Sequence, residues 1–246
     1  MFDHPDFDDH EQVVFACDPA AGLRAIIALH STALGPAFGG CRMWPYRSGT
    51  EALTDALRLA RGMTYKAAIC GLPYGGGKSV IIGEPKRAKT AALLRAMGRA
   101  VESLRGRYIV ADDIGTTLDD LVVMREVTSH TAAATEAARA PLAVTAYGVT
   151  MAIRAAVREI TGSDRLDGLR VAIQGLGNVG RPLAGFLRDA GAELIVADLD
   201  RARVARAAGE LGAVPVEPEV IYDQPVDLFA PCALGAVLDD LTIPRL

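Results

Sequence analysis

Two hydrophobic patterns alternate along the first half of the chain, and they predict a mixed α/β fold. Short apolar runs bounded by turn residues predict strands at 11–15, 23–30, 80–82 and 108–110. Apolar residues spaced three and four positions apart predict helices at 50–68, 90–104 and 117–127, the first of them capped by Thr50. The segment 35–44 is predicted to run from a glycine-rich loop into a strand. The first two strands are expected to pair as neighbours.

A second half follows an alanine-rich stretch at 129–141. A helix is predicted at 144–160, and beyond it strands and helices alternate over the segments 170–174, 181–190, 194–197, 202–211 and 226–229. Such alternation predicts a parallel sheet with right-handed crossovers. The fold class is therefore predicted to be α/β, with a substrate-binding domain at 1–140 followed by a Rossmann-type dinucleotide-binding domain at 141–246.

The composition favours a soluble protein that acts on small molecules. Half of the 246 residues are hydrophobic and the formal net charge is −4, with no separate basic cluster. These features argue against a nucleic-acid or membrane partner. The cysteines form no Cys-x-x-Cys pair, so neither a zinc site nor a disulfide framework is predicted, and no metal is expected. The acidic N-terminus lacks the features of a signal peptide, and no apolar run is long enough to span a membrane. We expect a cytoplasmic protein.

A dinucleotide-binding fingerprint occupies Gly175-Leu176-Gly177-Asn178-Val179-Gly180. The pattern Gly-x-Gly-x-x-Gly is weak alone, but here a predicted strand precedes it and a predicted helix follows. Asp198 ends the next predicted strand, at the spacing of the acid that hydrogen-bonds the adenosine ribose. This acid favours NAD over NADP, while Arg201 and Arg203 nearby keep NADP as an alternative. A tight turn that binds no ligand is the other alternative.

The segment Gly75-Gly76-Gly77-Lys78-Ser79 places a lysine between bare backbone and an apolar run. It is not a triphosphate-binding P-loop, since Leu72 stands where that motif needs its first glycine and a strand is predicted to follow. A structural lysine that reaches solvent is one interpretation. The other is a functional amine, because Lys66 and Asp113 are also predicted at the ends of elements. Burial and a nearby cation would lower the pKa of Lys78 and make it a base near neutrality.

Five segments together give the chain a family resemblance. They are 63–66 (Met-Thr-Tyr-Lys), 75–79, 113–117 (Asp-Ile-Gly-Thr-Thr), 144–149 (Val-Thr-Ala-Tyr-Gly-Val) and 230–235 (Ala-Pro-Cys-Ala-Leu-Gly). In this order and over nearly the whole chain, they resemble the leucine/phenylalanine/valine dehydrogenase branch of the amino-acid dehydrogenases that include glutamate dehydrogenase.

The resemblance implies a set of residue roles. Lys66 would bind the substrate carboxylate, Lys78 would activate water, and Asp113 would move protons to and from the amine. The substrate pocket would also involve Phe38, Gly39, Gly40, Met63 and Ala111. The cofactor contacts would include, besides the fingerprint and Asp198, the residues Thr145, Leu199, Cys232 and Ala233. The implied reaction is the NAD-dependent, reversible conversion of an L-amino acid to a 2-oxo acid and ammonia by a homo-oligomer.

Phe38 predicts an apolar substrate. Glutamate-specific members of the resembling family carry a lysine here, which pairs with the substrate side-chain carboxylate. A phenyl ring cannot pair that charge and would leave it desolvated at a high cost. An amino acid of the leucine, valine or phenylalanine type is therefore expected. The alternative is that Phe38 is an ordinary core residue.

Two departures from the resembling family keep other functions open. The segment 131–142 is alanine-rich where relatives have a Gly/Ser-rich loop. Relatives also continue past the position of Leu246, with an asparagine that faces the substrate. A dinucleotide-binding paralogue with weak or no catalysis and a regulatory role is thus one alternative. A different Rossmann oxidoreductase is another.

Overall fold

The computed structural model describes residues 2–132, 143–235 and 237–246. The chain divides into two compact units, Met1–Arg139 and Ala140–Leu246. The predicted domain boundary and most of the alanine-rich segment lie outside the described residues. Each unit has its own sheet and its own hydrophobic core.

The described part of the first unit contains five strands and four helices. The strands are β1 (Gln12–Asp18), β2 (Leu23–Ser31), β3 (Ala37–Trp44), β4 (Gly75–Ile82) and β5 (Tyr108–Asp112). The helices are α1 (Gly49–Ile69), α2 (Pro85–Ala88), α3 (Ala91–Glu102) and α4 (Leu118–Arg125). The strands form one mixed sheet in the order β1-β2-β4-β3-β5. The predicted pairing of the first two strands is confirmed, and it is antiparallel.

Helices cover both faces of this sheet. Apolar residues of α1, among them Ala56 and Leu57, pack on Ile26 and Val80 from one face. Helices α3 and α4 pack on the opposite face, where Met97, Met124 and Tyr108 are fully buried. Strands β3, β4 and β5 run parallel to one another in the middle of the sheet and at its β5 edge. Side chains that alternate along these strands therefore face α1 and α3 in turn.

Two local predictions were wrong. Helix α1 begins one residue earlier than expected, because the hydroxyl of Ser48, and not that of Thr50, accepts the backbone N–H of Glu51 and caps the helix. The strand β4 begins at Gly75 and not at the predicted residue 80, so the three glycines that precede the predicted strand are its first residues. Glycine weakens an isolated strand, but here neighbouring strands approach the bare backbone and hold it.

The described part of the second unit has a fully parallel sheet, as predicted. Its strands are β6 (Arg170–Gln174), β7 (Glu193–Ala197), β8 (Val214–Pro215) and β9 (Leu228–Pro231), in the order β8-β7-β6-β9. Its helices are α5 (Ala143–Thr161), α6 (Gly180–Asp189) and α7 (Arg201–Leu211). Buried residues of α5, α6 and α7 pack with β6 and β7 in one core. No helix in the described ranges is long and apolar enough to cross a membrane.

Candidate active site

Strands β3, β4 and β5 place several predicted site residues on the face of the sheet that α1 covers. Phe38 pairs with Gly76, and Gly40 pairs with Ala111. Lys78 lies two residues beyond Gly76 and therefore on the same face. Two of these positions are glycines, so backbone replaces side chains there. Thr64 of α1 lies against the bare backbone of Gly76, and the side chains of Asp113 and Lys78 lie against that of Gly40.

Lys78 and Asp113 form the central ion pair of this face. The Nζ atom of Lys78 donates to Oδ2 of Asp113 at 2.6 Å, and Lys78 is only 5% exposed. Burial lowers the pKa of Lys78, and the neighbouring carboxylate offsets this only in part. Burial alone would raise the pKa of Asp113, but Lys78 and Arg42 outweigh it and hold that pKa below its ordinary value. The pair thus combines an ammonium that loses its proton more readily than an ordinary lysine with a carboxylate.

Sequence reasoning missed Arg42, which also contacts this pair. Its Nε atom donates to Oδ2 of Asp113 at 3.0 Å, and its Nη1 atom donates to Oδ2 of Asp55 at 2.8 Å. The hydroxyl of Tyr46 donates to the same oxygen of Asp55 at 2.5 Å. Arg42 lies in an apolar strand and matches no catalytic motif. The signal that could have found it is its position two residues after Gly40, on the same face as Lys78.

Glycines at two positions allow the elements around Lys78 to approach closely. A Cβ atom on Gly40 would lie 2.7 Å from Cβ of Asp113 and 3.1 Å from Nζ of Lys78. A Cβ atom on Gly76 would overlap the backbone and hydroxyl of Thr64 in α1. Helix α1 therefore crosses the sheet directly above β4. Any side chain at Gly40 would intrude on the ion pair.

A buried hydroxyl pair supports this region from the opposite face of the sheet. The Tyr108 hydroxyl donates to the carbonyl oxygen of Gly39 at 2.8 Å and lies 3.1 Å from Oγ of Ser79. Tyr108 and Ser79 are both fully buried. The ring of Tyr108 also packs on Gly77, where a Cβ atom would lie 2.8 Å from it. These contacts fix the backbone on either side of Gly40 and Lys78.

Four other predicted substrate residues, which lie on α1, β3 and β5, are exposed or half-buried. Lys66 is exposed on the last turn of α1 and has no ion pair with any residue that the structure describes. Met63 is half-buried on the same helix. Phe38 is half-buried with its ring 5.3 Å from that of Tyr74, so it is not a fully enclosed core residue. Ala111 is also half-buried.

The fingerprint loop of the second unit joins β6 to α6. A Cβ atom on Gly175 would lie 2.6 Å from the backbone nitrogen of Ala233, and one on Gly180 would overlap the carbonyl oxygen of Gly175. These two glycines are required by the packing of the protein itself. Gly177 is different, because the nearest atom to its Cβ position is Nη1 of Arg203, at 3.6 Å. Its backbone is bare and open to a ligand.

The start of α6 suits a phosphate group. No side chain caps this helix at Val179, and Asn178 is exposed. The helix dipole and the free N–H groups at such an end favour an anion. Together with the open backbone at Gly177, this arrangement fits the pyrophosphate of a dinucleotide.

Asp198 lies beside the loop at the end of β7. Its Oδ2 atom accepts the N–H of Leu176 at 2.6 Å, and its Oδ1 atom accepts the N–H of Asp200 at 2.8 Å. Each carboxylate oxygen keeps a second lone pair that can accept from a ribose hydroxyl. The Nη1 atom of Arg203 lies 3.8 Å from Oδ2 of Asp198, and its Nε atom lies 3.3 Å from Oδ2 of Asp200. Leu199 is almost fully exposed.

The remaining predicted cofactor residues divide into two groups. Cys232 and Ala233 contact the loop, since the N–H of Cys232 donates to the carbonyl oxygen of Gln174 at 2.8 Å and Ala233 packs on Gly175. Burial raises the pKa of the Cys232 thiol. Thr145 is exposed on the first turn of α5. Nothing in the described residues joins Thr145 to the fingerprint. Among these residues, no three His, Cys, Asp or Glu side chains gather to hold a metal ion.

Two family models match the chain. Residues 10–130 match the Glu/Leu/Phe/Val dehydrogenase dimerisation domain, and residues 139–209 match the Glutamate/Leucine/Phenylalanine/Valine dehydrogenase domain. The chain therefore belongs to the Glu/Leu/Phe/Val dehydrogenase family of oxidoreductases, which confirms the resemblance drawn from the motifs.

Individual relatives agree with this assignment. The whole chain is 50% identical to leucine dehydrogenase of Geobacillus stearothermophilus and spans 68% of that protein. It is 46% identical to phenylalanine dehydrogenase of Lysinibacillus sphaericus, with 97% of this chain and 65% of that protein covered. The crystal structure of L-tryptophan dehydrogenase from Nostoc punctiforme matches with a TM-score of 0.71 at 46% identity, over 96% of this chain and 68% of that one.

Proposed function

We propose that this protein catalyses the reversible, NAD-dependent oxidative deamination of an apolar L-amino acid. The observation that carries the proposal is the buried Lys78, held at 2.6 Å from Asp113 beside the bare backbone of Gly40. A lowered pKa makes the neutral form of a buried amine easier to reach, so that it can accept a proton, and the adjoining carboxylate can carry a second one. Membership of a family of amino-acid dehydrogenases supports the same chemistry.

Each residue has a distinct task in the proposed reaction. Lys66, a free cation on the last turn of α1, binds the substrate carboxylate. Asp113 takes a proton from the substrate ammonium and later returns it to the departing nitrogen. Lys78 takes a proton from the water that adds to the iminium carbon. Overall, an L-amino acid, NAD and water give a 2-oxo acid, ammonium, NADH and one proton.

The second unit supplies the cofactor site. The backbone of Gly177 and the start of α6 hold the pyrophosphate, and Asp198 accepts hydrogen bonds from the adenosine ribose. NAD supplies the acceptor for the Cα hydrogen and its electron pair. Asp198 favours NAD because its charge repels a 2′-phosphate. Arg203 beside it makes NADP the competitor to be tested.

The substrate side chain is proposed to be apolar. Phe38 lies on the same face of the sheet as Lys78, and Ala111 is a neighbour of Gly40 across the sheet. Neither side chain can pair a carboxylate, so glutamate would lose the hydration of its side chain without compensation. The names of the relatives, which include leucine and phenylalanine dehydrogenases, support this substrate class. The first unit is proposed to form the contacts of a homo-oligomer, since its family model describes a dimerisation domain.

A substrate panel tests the proposal. The initial rate of NADH formation is measured with L-leucine, L-valine, L-phenylalanine, L-tryptophan and L-glutamate, each with NAD and with NADP. We expect the apolar amino acids with NAD to give the highest kcat/KM. The reverse reaction should require ammonia. Preference for glutamate would contradict the pocket argument, and a reverse reaction independent of ammonia would indicate another oxidoreductase.

A further inference from the structure

Arg42 contacts two carboxylates on the face of the sheet that holds Lys78. Its Nε atom and the Lys78 Nζ atom both donate to Oδ2 of Asp113, at 3.0 and 2.6 Å. Its Nη1 atom is held by Asp55 of α1 at 2.8 Å, and Tyr46 braces Asp55. The Arg42 side chain is 19% exposed and that of Asp55 is 27% exposed. A planar guanidinium is suited to bridge two such acceptors, which a lysine cannot do with the same geometry.

We infer that Arg42 is a positioning residue of the proposed reaction, which orients the Asp113 carboxylate beside Lys78 through the bridge it forms to Asp55. The inference rests on the proposed function. Arg42 touches Asp113 directly and acts on the substrate only through it. Asp55 and Tyr46 tether Arg42 to α1 and so hold it at this distance.

The positive charge of Arg42 acts in the same direction on Asp113 and on Lys78, because it lowers the pKa of both groups. A positive charge at 3.0 Å favours the ionised form of Asp113 and disfavours a second positive charge on Lys78. Arg42 accordingly contributes to lowering the pKa of both groups, after the larger effect of burial. The charged or titratable groups around Asp113 are Lys78 on β4, Arg42 and Cys41 on β3, Asp55 on α1, Tyr46 in the loop before α1, and Tyr108 on β5. Among these, Arg42 and Lys78 are the cations.

The test is the pH profile of kcat/KM for wild type, Arg42→Gln and Arg42→Lys. Loss of the charge in Arg42→Gln should shift the acid limb of the profile to higher pH by about one unit or more, because the pKa values of Asp113 and Lys78 both rise. A loss of orientation should also lower kcat/KM at the optimum by about 10²-fold. Arg42→Lys keeps the charge but not the bridge, so its acid limb should stay near that of wild type while kcat/KM falls. Arg58→Gln, a change on an exposed face of α1, is the matched control and should leave the profile unchanged.

The outcomes separate this inference from the proposed function. An active Arg42→Gln variant whose acid limb does not move would overturn the positioning role. The proposed oxidative deamination would not be affected. If Arg42→Gln does not fold by circular dichroism, the Arg42→Lys variant decides, and wild-type kcat/KM in that variant would overturn the inference. If wild type itself deaminates no amino acid, the proposed function fails. The ¹³C titration of the Asp113 carboxyl in wild type and Arg42→Gln then reports whether Arg42 favours the ionised form of this carboxylate, and identical titrations would overturn the inference too.

Discussion

The ammonium of Lys78 lies 2.6 Å from the carboxylate of Asp113, although Lys78 stands inside strand β4 and Asp113 just beyond the end of β5. Strand β3 lies between these two strands, and at the level of the ion pair it carries Gly40. The two side chains therefore meet across a strand that has no side chain at this point. This ion pair is formed on a sheet face where a longer residue of β3 would place its side chain.

Lys78→Ala should abolish most turnover and spare cofactor binding. Removal of a general base typically costs about 10²- to 10⁴-fold in rate. The dinucleotide loop lies in the other unit of the chain, so the dissociation constant of NADH should not change. Turnover is followed at 340 nm and NADH binding by fluorescence. Lys86→Ala, at an exposed lysine, is the control, and full activity of Lys78→Ala would refute its role as the base.

Gly40→Ala should separate Lys78 from Asp113. The new methyl group would lie 2.7 Å from Cβ of Asp113 and 2.8 Å from the carbonyl oxygen of Asp112. The backbone at Asp112 and Asp113 must therefore move. We expect kcat to fall by about 10²-fold, as displacements near 1 Å produce in other active sites. Overpacking should also cost about 1–3 kcal/mol of folding stability. Gly62→Ala places the same methyl group where no atom lies within 4 Å, and its activity should equal that of wild type.

Asp113 should stabilise the fold above about pH 4 and cease to do so in acid. Because its pKa is lowered in the folded state, the unfolded state binds more protons as the pH falls below the ordinary carboxyl value of about 4. Asp113→Asn should thus be less stable than wild type at pH 7 by about 3 kcal/mol, the cost of breaking a buried pair. The difference should shrink below about pH 4.

Urea unfolding at pH 7 and at pH 3 measures this difference. Asp119→Asn alters an exposed carboxylate at the start of α4 and serves as the comparison. A stability gap for Asp113→Asn that is the same at both pH values would mean that ionisation of Asp113 does not contribute.

Tyr108→Phe should lower stability while most activity remains. The Tyr108 hydroxyl satisfies the carbonyl oxygen of Gly39 and contacts Ser79, both inside the core. Its removal leaves buried polar atoms without a partner, which typically costs about 1–3 kcal/mol. Thermal unfolding measures the loss. Tyr65→Phe, at an exposed tyrosine, should unfold at the temperature of wild type, and equal values for both variants would show that the buried network is dispensable.

Asp198→Asn should weaken NADH binding and reduce discrimination against NADPH. A hydrogen bond to a charged group contributes about 1.5–3 kcal/mol, which corresponds to roughly 10- to 100-fold in affinity. Loss of the negative charge also removes the repulsion of a 2′-phosphate. Fluorescence titrations with NADH and NADPH give both affinities, with Asp189→Asn as the exposed control. An unchanged ratio of the two affinities would mean that Asp198 does not set the preference.

The sequence was most informative where spacing alone identifies an element. The second unit illustrates this, since strand β6 has the predicted bounds of Arg170–Gln174 and its sheet is parallel. Both the alternation of strands and helices and the fingerprint are patterns of residues that lie close together in the sequence. The bounds of β4 were missed because glycine has low strand propensity, and only the close approach of neighbouring strands makes Gly75–Gly77 extended.

Prediction of the candidate site was also limited to residues that belong to local sequence patterns. Lys66, Lys78 and Asp113 were predicted as site residues because each belongs to a motif. Arg42 and Asp55 were not, since their relevance depends on β3 and α1 meeting in space, which no local pattern indicates. Electrostatic partners from distant segments require the fold itself.

The glycine start of β4 also limits how this protein can change its substrate. Gly75 would overlap Ser31, Gly76 would overlap Thr64, and Gly77 would press on Tyr108 if any of them gained a side chain. The strand that carries Lys78 is therefore closed to variation at three successive positions. New substrate preferences must arise on the neighbouring strands, where Phe38 and Ala111 already have side chains of adjustable size. Under the proposed function, Lys78 would stay fixed while the residues around it vary.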